Sequence, residues 1–299
     1  MKIIKEYLTL SEFSNIIIEN EKIDIDTVLL DRVQKSYYFL EKFSSKKVIY
    51  GVNTGFGPMA QYRIQEEDQK QLQYNLIRSH SSGIGNPLSP IHVKAAILAR
   101  LNTLALGKSG VNDSVILLMK ELINRDITPL IFAHGGVGAS GDLVQLAHLA
   151  LILIGEGEVF YKGERKSTKE VFEIEQLQPI DIKIREGIAL MNGTSVMTGI
   201  GIVNVLLAEK LIDHMLKASS LINELVQAYD DHLSEELNHA KLHEGQRWVA
   251  EQMRNHLKVK NIWIVETTRK KYSKKKFKNI IPFVVCLKSL VLFMIPLKL

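Results

Sequence analysis

The sequence predicts a mainly α fold, a helical bundle with a few short strands. Three observations carry this expectation. Long stretches repeat apolar residues at helical spacing, and only 7 of 299 residues are proline. Residues 193–254 keep a helical pattern for most of their length with no proline at all. A run that long predicts a bundle helix, kinked or interrupted along its way.

Along the chain, Ser11 and Asp26 stand as N-caps for helices over 12–19 and 27–44. The stretch VIYGVNTGFGPMA (48–60) breaks the pattern. It begins with β-prone residues and then places Gly51, Gly55 and Gly57 within seven residues, which predicts a loop that turns sharply or approaches something closely. Helix resumes over 66–80. Ser89-Pro90 pairs a cap with proline at the first helical position and opens a helix to 106. A further helix is expected over 112–124, and short strands at 157–161 and 181–184. No internal repeat is visible.

Composition is that of a soluble globular protein, with 46% hydrophobic and 24% charged residues. The net charge of +5 comes mostly from lysines after Lys258, so a pI of 9.0 is not read as a nucleic-acid signal. The single cysteine, Cys286, leaves the body without a disulfide framework or a cysteine nucleophile, which fits a reducing cytoplasm. The segment MKIIKEYLTLSEF has no apolar core of the kind a signal peptide carries.

Residues 136–149 read GVGASGDLVQLAHL. Taken alone, a glycine-rich loop ahead of a helix is a tight turn or an anion site at the helix N-terminus. No GxxxxGK[ST] accompanies it, so a phosphate loop is not supported. The wider string GGVGASGDLVQLAH closely resembles the signature of the aromatic amino acid ammonia-lyases, the histidine, tyrosine and phenylalanine lyase family. The resemblance spans residues 1–257. It implies that Ala139, Ser140 and Gly141 cyclise on themselves into a methylidene-imidazolone with no external cofactor. The Gly141 nitrogen would attack the Ala139 carbonyl, and Ser140 would become the electrophilic methylene carbon. Small residues suit a backbone that must bend back on itself, and the helix expected from Asp142 would favour negative charge gathering at its N-terminus.

Other family motifs follow in order. YGVNTGFG (50–57) matches the loop of the catalytic tyrosine, so Tyr50 is implied as the base for the β-proton. A neutral phenol is a poor base, so the surroundings must favour the phenolate. Without the resemblance, Tyr50 reads as a structural strand tyrosine. Gly57 would offer its backbone near the substrate carboxylate. NLIRSHSSGIG (75–85) matches the segment facing the substrate ring, with His80 after Ser79 as in histidine and some tyrosine lyases. Phenylalanine lyases carry an apolar pair there. A lone histidine is otherwise a satisfied polar residue. EGIALMNGTS (186–195) matches the family's asparagine, so the Asn192 amide would hold the prosthetic group or the substrate carboxylate.

The implied reaction releases ammonia from an aromatic L-amino acid, histidine giving urocanate or tyrosine giving coumarate. The electrophile takes the amine and makes nitrogen a better leaving group. The family also implies a homotetramer. An aromatic aminomutase sharing the electrophile is the nearest alternative. A non-enzymatic helical protein anchored in a membrane is the alternative of a different class. His232, His239 and His243 read as a solvated helix face rather than a metal site, and HExxH is absent.

The tail bears on that last alternative. Residues 270–278 are polybasic and 280–297 apolar, but Lys288, Pro282 and Pro296 interrupt a run already short for a membrane span. Read one nucleotide earlier, its degenerate codons permit a string containing Tyr-Ser-Leu-Arg and then Pro-Gln, which resembles the family's next helix. The expectation is therefore three segments. Residues 1–191 form an N-terminal domain with the electrophile loop, 192–257 begin the central bundle, and 258–299 are an out-of-frame tail, with little or no activity in the chain as written. No membrane or nucleic-acid partner is expected.

Overall fold

The structure, a computed structural model, describes residues 1–44, 47–226, 228, 230–240 and 242–258. The tail expected to be out of frame lies outside the described residues, apart from Lys258 at the end of a helix.

Two short parallel strands, β1 (Lys2–Ile4) and β2 (Ile23–Ile25), flank α1 (Leu10–Ile17) in sequence. The cap of α1 is Thr9 rather than the expected Ser11. Thr9 accepts from Glu12 N while Glu12 Oε2 accepts from Thr9 N at 2.9 Å, a reciprocal box that Ser11 has no partner to form. In α2 (Thr27–Ser44) the Asp26 cap is as expected, with Val28 N–H donating to Asp26 Oδ1 at 2.8 Å. α3 (Glu66–His80) runs as predicted, with Glu66, Glu67 and Asp68 in its first turn and Arg78 and His80 in its last, matching the helix dipole.

The core helix is α4 (Pro90–Ala105), opened by Ser89 and proline. Ile97, Leu98, Leu101 and Leu104 are sealed from solvent, and it packs against α5 (Asp113–Asn124), where Ile116, Met119 and Leu122 are equally buried. α6 (Leu143–Leu153) adds Leu146, Leu149 and Leu153 to the same core. Two cations on α4 are buried with these residues. Lys94 bonds Asn20 Oδ1 at 2.6 Å and Asp126 Oδ1 at 2.9 Å. Arg100 belongs to the site described below.

β3 (Ile84–Pro87) pairs antiparallel with β5 (Phe132–His134). β4 (Thr128–Pro129), β6 (Glu158–Tyr161) and β7 (Glu164–Ser167) form an antiparallel sheet in the order β4-β6-β7. The strand expected at 181–184 is absent. There Ile182 N–H donates to Tyr74 Oη, and the nearby Ile180 N–H goes to Leu153 O, so these amides are satisfied one at a time rather than by a neighbouring strand. α7 (Thr168–Glu175) and α8 (Glu186–Met191) lead into α9 (Ser195–Leu225). The long helical run is interrupted, as its length suggested, and resumes as α10 (Glu235–His239) and α11 (Glu244–Lys258).

Two compact units divide at Asn204–Val205, inside α9. The second has its own apolar cluster, where Leu216, Leu233, Val249, Ala250, Met253 and Leu257 meet. By length and composition α9 could cross a membrane. It also carries Glu209, Lys210, Asp213 and Lys217, with an Asp213–Lys217 ion pair at 2.6 Å on its surface, the texture of a bundle helix.

Candidate active site

The loop before α3 is held from inside. The Asn53 side chain is buried, accepts from Ile49 N and donates to Ser44 O and Lys47 O. Thr54 Oγ1 accepts from Gly51 N and donates to Gly55 O. Gly51 adopts φ +69°, and a Cβ there would press on Phe56 and Ile188. This clamp presents Tyr50 about half exposed, its ring edge-on to Phe56 at 6.1 Å. The Gly57 N–H donates to Tyr50 Oη at 3.2 Å. Two residues singled out from the sequence thus meet directly.

Tyr50 and Asn192 also line one cleft of about 660 Å³, with Arg100, Thr103, Arg185 and Thr198. Asn192 follows α8 and is exposed. Gly193, next in the chain, pairs with Gly141, so the segment after Asn192 lies against the glycine-rich loop. Asp142 N–H donates to Gly193 O at 2.7 Å, and Asp142 Oδ2 accepts from Met197 N at 2.9 Å. A second, smaller cleft of about 280 Å³ is lined by Gly138, Gly141, Asp142, Gln145 and Met197.

The tripeptide itself is compressed. Gly141 has φ +84° and forms bridges with both Gly138 and Ala139, a backbone doubled back within four residues. A Cβ on Gly141 would overlap the Gly193 carbonyl, so only glycine fits. Gly138 at φ +71° faces open space, and Ala139 and Ser140 are exposed. A ring closed between Ala139 and Gly141, with the Ser140 side chain free on its outer side, fits this arrangement.

His80 stands apart from this group. It ends α3, and its Nδ1 lies 2.9 Å from Leu76 O and 3.1 Å from Ser79 Oγ, both on its own helix. It lines neither cleft. The segment just after it is nonetheless tied to the glycine-rich region. Gly83 N–H donates to His148 Nε2 at 3.1 Å, and Ile84 pairs with His134, two residues before Gly136. His148, on α6, is buried and packs edge-on to Phe132, and burial holds its pKa below the usual imidazole value.

Sequence reasoning did not single out His148, Gly193 or Arg100. Arg100 is 3% exposed and its Nη2 donates to Ala189 O and to Asn192 O, the latter at 2.9 Å. Burial pushes its pKa down to about 10, partly offset by the Asp142 carboxylate. A signal was present, since an arginine in the apolar run AAILARLNTLA has to be buried with a partner or to break the helix face. Among the described residues no group of three metal-ligating side chains comes together.

Comparison with known proteins places the chain in a family. Residues 8–278 match the family model described as aromatic amino acid lyase. A histidine ammonia-lyase of Bacillus cytotoxicus is 39% identical over 249 residues, 83% of this chain and 49% of that one. Among solved structures, a tyrosine aminomutase from Streptomyces globisporus superposes with a TM-score of 0.79 at 33% identity, covering 85% of this chain and 48% of that one. A histidine ammonia-lyase from Trypanosoma cruzi gives 0.77 at 29% identity, with 85% and 50% covered. The chain spans about half the length of the curated relatives it matches.

Proposed function

The chain belongs to the aromatic amino acid lyase family, and from that premise we propose that it is the N-terminal part of an ammonia-lyase acting on an aromatic L-amino acid. The reaction gives the trans-α,β-unsaturated acid and ammonium. Histidine is the first substrate to test and tyrosine the second. Ser79-His80 and the histidine ammonia-lyases at 38–39% identity support that order.

The observation that carries the proposal is the doubled-back Ala139–Gly141 backbone seated on Gly193, directly after Asn192. When formed there, the methylidene-imidazolone supplies an electrophilic carbon that makes the substrate nitrogen a better leaving group. The protein's own residues do the rest. Tyr50 Oη takes the β-proton, and the Gly57 N–H donated to that oxygen stabilises the phenolate that must be present before the proton arrives. The Asn192 amide borders the same cleft and holds the prosthetic group or the substrate carboxylate. His80 lines neither cleft, and its assignment to the substrate ring rests on the match of NLIRSHSSGIG to the family's ring-facing segment.

The complete enzyme is proposed to be a cytoplasmic homotetramer. In support, Met197, Leu207 and Leu211 of α9 are each more than half exposed, an apolar face suited to a neighbouring helix. The test is to assay this chain, and a version with the reading frame shifted after residue 257, with L-histidine and L-tyrosine. Ammonium release with the ultraviolet absorbance of the unsaturated acid is expected from the frame-shifted version. A β-amino acid formed with its nitrogen retained would favour the aminomutase reading, which the match to the tyrosine aminomutase structure keeps in view.

A further inference from the structure

We propose that Arg100 is a positioning residue for closure of the Ala139-Ser140-Gly141 ring, acting through Gly193; the inference rests on the cyclisation reading above. Arg100 is far from neutral packing. At 3% exposure beneath the cleft it lines, the guanidinium loses most of its hydration, and a hydrocarbon side chain of similar volume would fill the space without that cost. Its Nη2 holds two carbonyls, Ala189 O and Asn192 O, at the C-terminal end of α8. Its Nε is buried with no partner, so the group is placed for its reach rather than for full satisfaction.

Gly193 is caught between this guanidinium and the glycine-rich loop. It adopts φ +153°, and a Cβ there would overlap Arg100 Nη1 on one side. On the other side its carbonyl takes the Asp142 N–H and leaves no room for a Cβ on Gly141. Arg100, Gly193 and Gly141 therefore form a stack, buried arginine at the back and cyclising glycine at the front. Asp142 closes the arrangement by accepting from Met197 N at the start of α9.

Ring closure needs this support. The Gly141 nitrogen must form a bond to the Ala139 carbonyl carbon. The carbonyl oxygen leaves as water with the amide protons of Gly141 and Ser140, and the Ser140 hydroxyl then leaves as a second water with the Cα proton. Every other rotation of the loop competes with the compressed geometry. Fixing Gly193 from behind removes the direction in which Gly141 could retreat.

The experiment compares the parent chain with Arg100→Met, Arg100→Lys and, as a stability control, Leu101→Ala, which empties a neighbouring core position on the same helix. The soluble folded fraction of each is isolated, its Tm measured and its intact mass read. The parent is expected about 36 Da light, the mass of two waters. Arg100→Met is expected folded but mostly at the unmodified mass, with Arg100→Lys between the two. Leu101→Ala is expected to have a lower Tm with the full mass loss. Arg100→Met as light as the parent overturns the inference. If that variant yields no soluble protein, Arg100→Lys as light as the parent does the same. Leu101→Ala losing the modification in step with its Tm also overturns it, because processing would then follow general stability. A parent chain at its unmodified mass overturns the cyclisation reading and the inference together.

Discussion

Gly57 N–H donates to Tyr50 Oη at 3.2 Å, a bond between residues seven apart that closes a loop held from within by Asn53 and Thr54. The tyrosine is about half exposed, with its ring edge-on to Phe56. Removing its hydroxyl should therefore cost little stability, below about 1 kcal/mol. Turnover is another matter, because the hydroxyl is the proposed proton acceptor. Tyr50→Phe in the active form should lower kcat roughly a hundred- to ten-thousand-fold. Measuring kcat and Tm together separates the roles, and a turnover near that of the parent would remove Tyr50 from the chemistry.

The exposed Ser140 side chain makes a clean prediction about processing. Ser140→Ala has no hydroxyl to lose, so it cannot make the exocyclic double bond and should lack the loss of about 36 Da. Its folding should be unchanged, since residue 140 is exposed. Mass spectrometry of the peptide containing residues 136–149 checks this, and activity should vanish with the modification because a chemical role has been deleted rather than a contact.

Much of this arrangement is legible in the sequence, for physical reasons that differ by residue. α3 could be bounded at 66–80 because its acidic first turn and basic last turn mark the dipole. The glycines of 135–141 announce a backbone that no larger residue could follow, and Gly141 bears that out. The role of Gly193 was illegible because the need for glycine there comes from its φ of +153° and from Arg100, distant in sequence, whose guanidinium fills the space a Cβ would take. For Arg100, position in an apolar run implies burial but does not say which carbonyls it will meet. β7 and α7 were missed because their short polar segment, ERKSTKEVFEIE, has weak periodicity and gains order by pairing with β6 and by the Ser167 cap.

His148 predicts a pH dependence of stability. Burial lowers its pKa from 6.5, and Nε2 accepts the Gly83 N–H, so the fold requires the neutral ring. The unfolded chain then binds the proton more readily. This contribution is complete above the unfolded value and is lost as pH falls through the folded one. Urea midpoints should decline between about pH 7.5 and pH 5, and His148→Gln, which keeps an acceptor but cannot titrate, should flatten that decline. An unchanged slope in the variant would assign the acid sensitivity to other groups.

The last prediction concerns substrate choice. With Nδ1 held by its own helix at Leu76 O, His80 has Nε2 as its remaining polar position. The Leu76 contact is satisfied when Nδ1 carries the proton, which leaves Nε2 as an acceptor for a substrate N–H or O–H. Histidine and tyrosine offer such a donor and phenylalanine does not. His80→Leu should therefore lower kcat/KM for the preferred polar substrate by about tenfold or more while raising it for phenylalanine, because a polar partner unmatched in the site is penalised more than a missing methylene. The change should appear mainly in KM if His80 only holds the ring, and in kcat if it orients the β-carbon toward Tyr50. Steady-state assays with all three amino acids on the active form decide between these. Equal losses for all three would remove His80 from the choice of substrate ring.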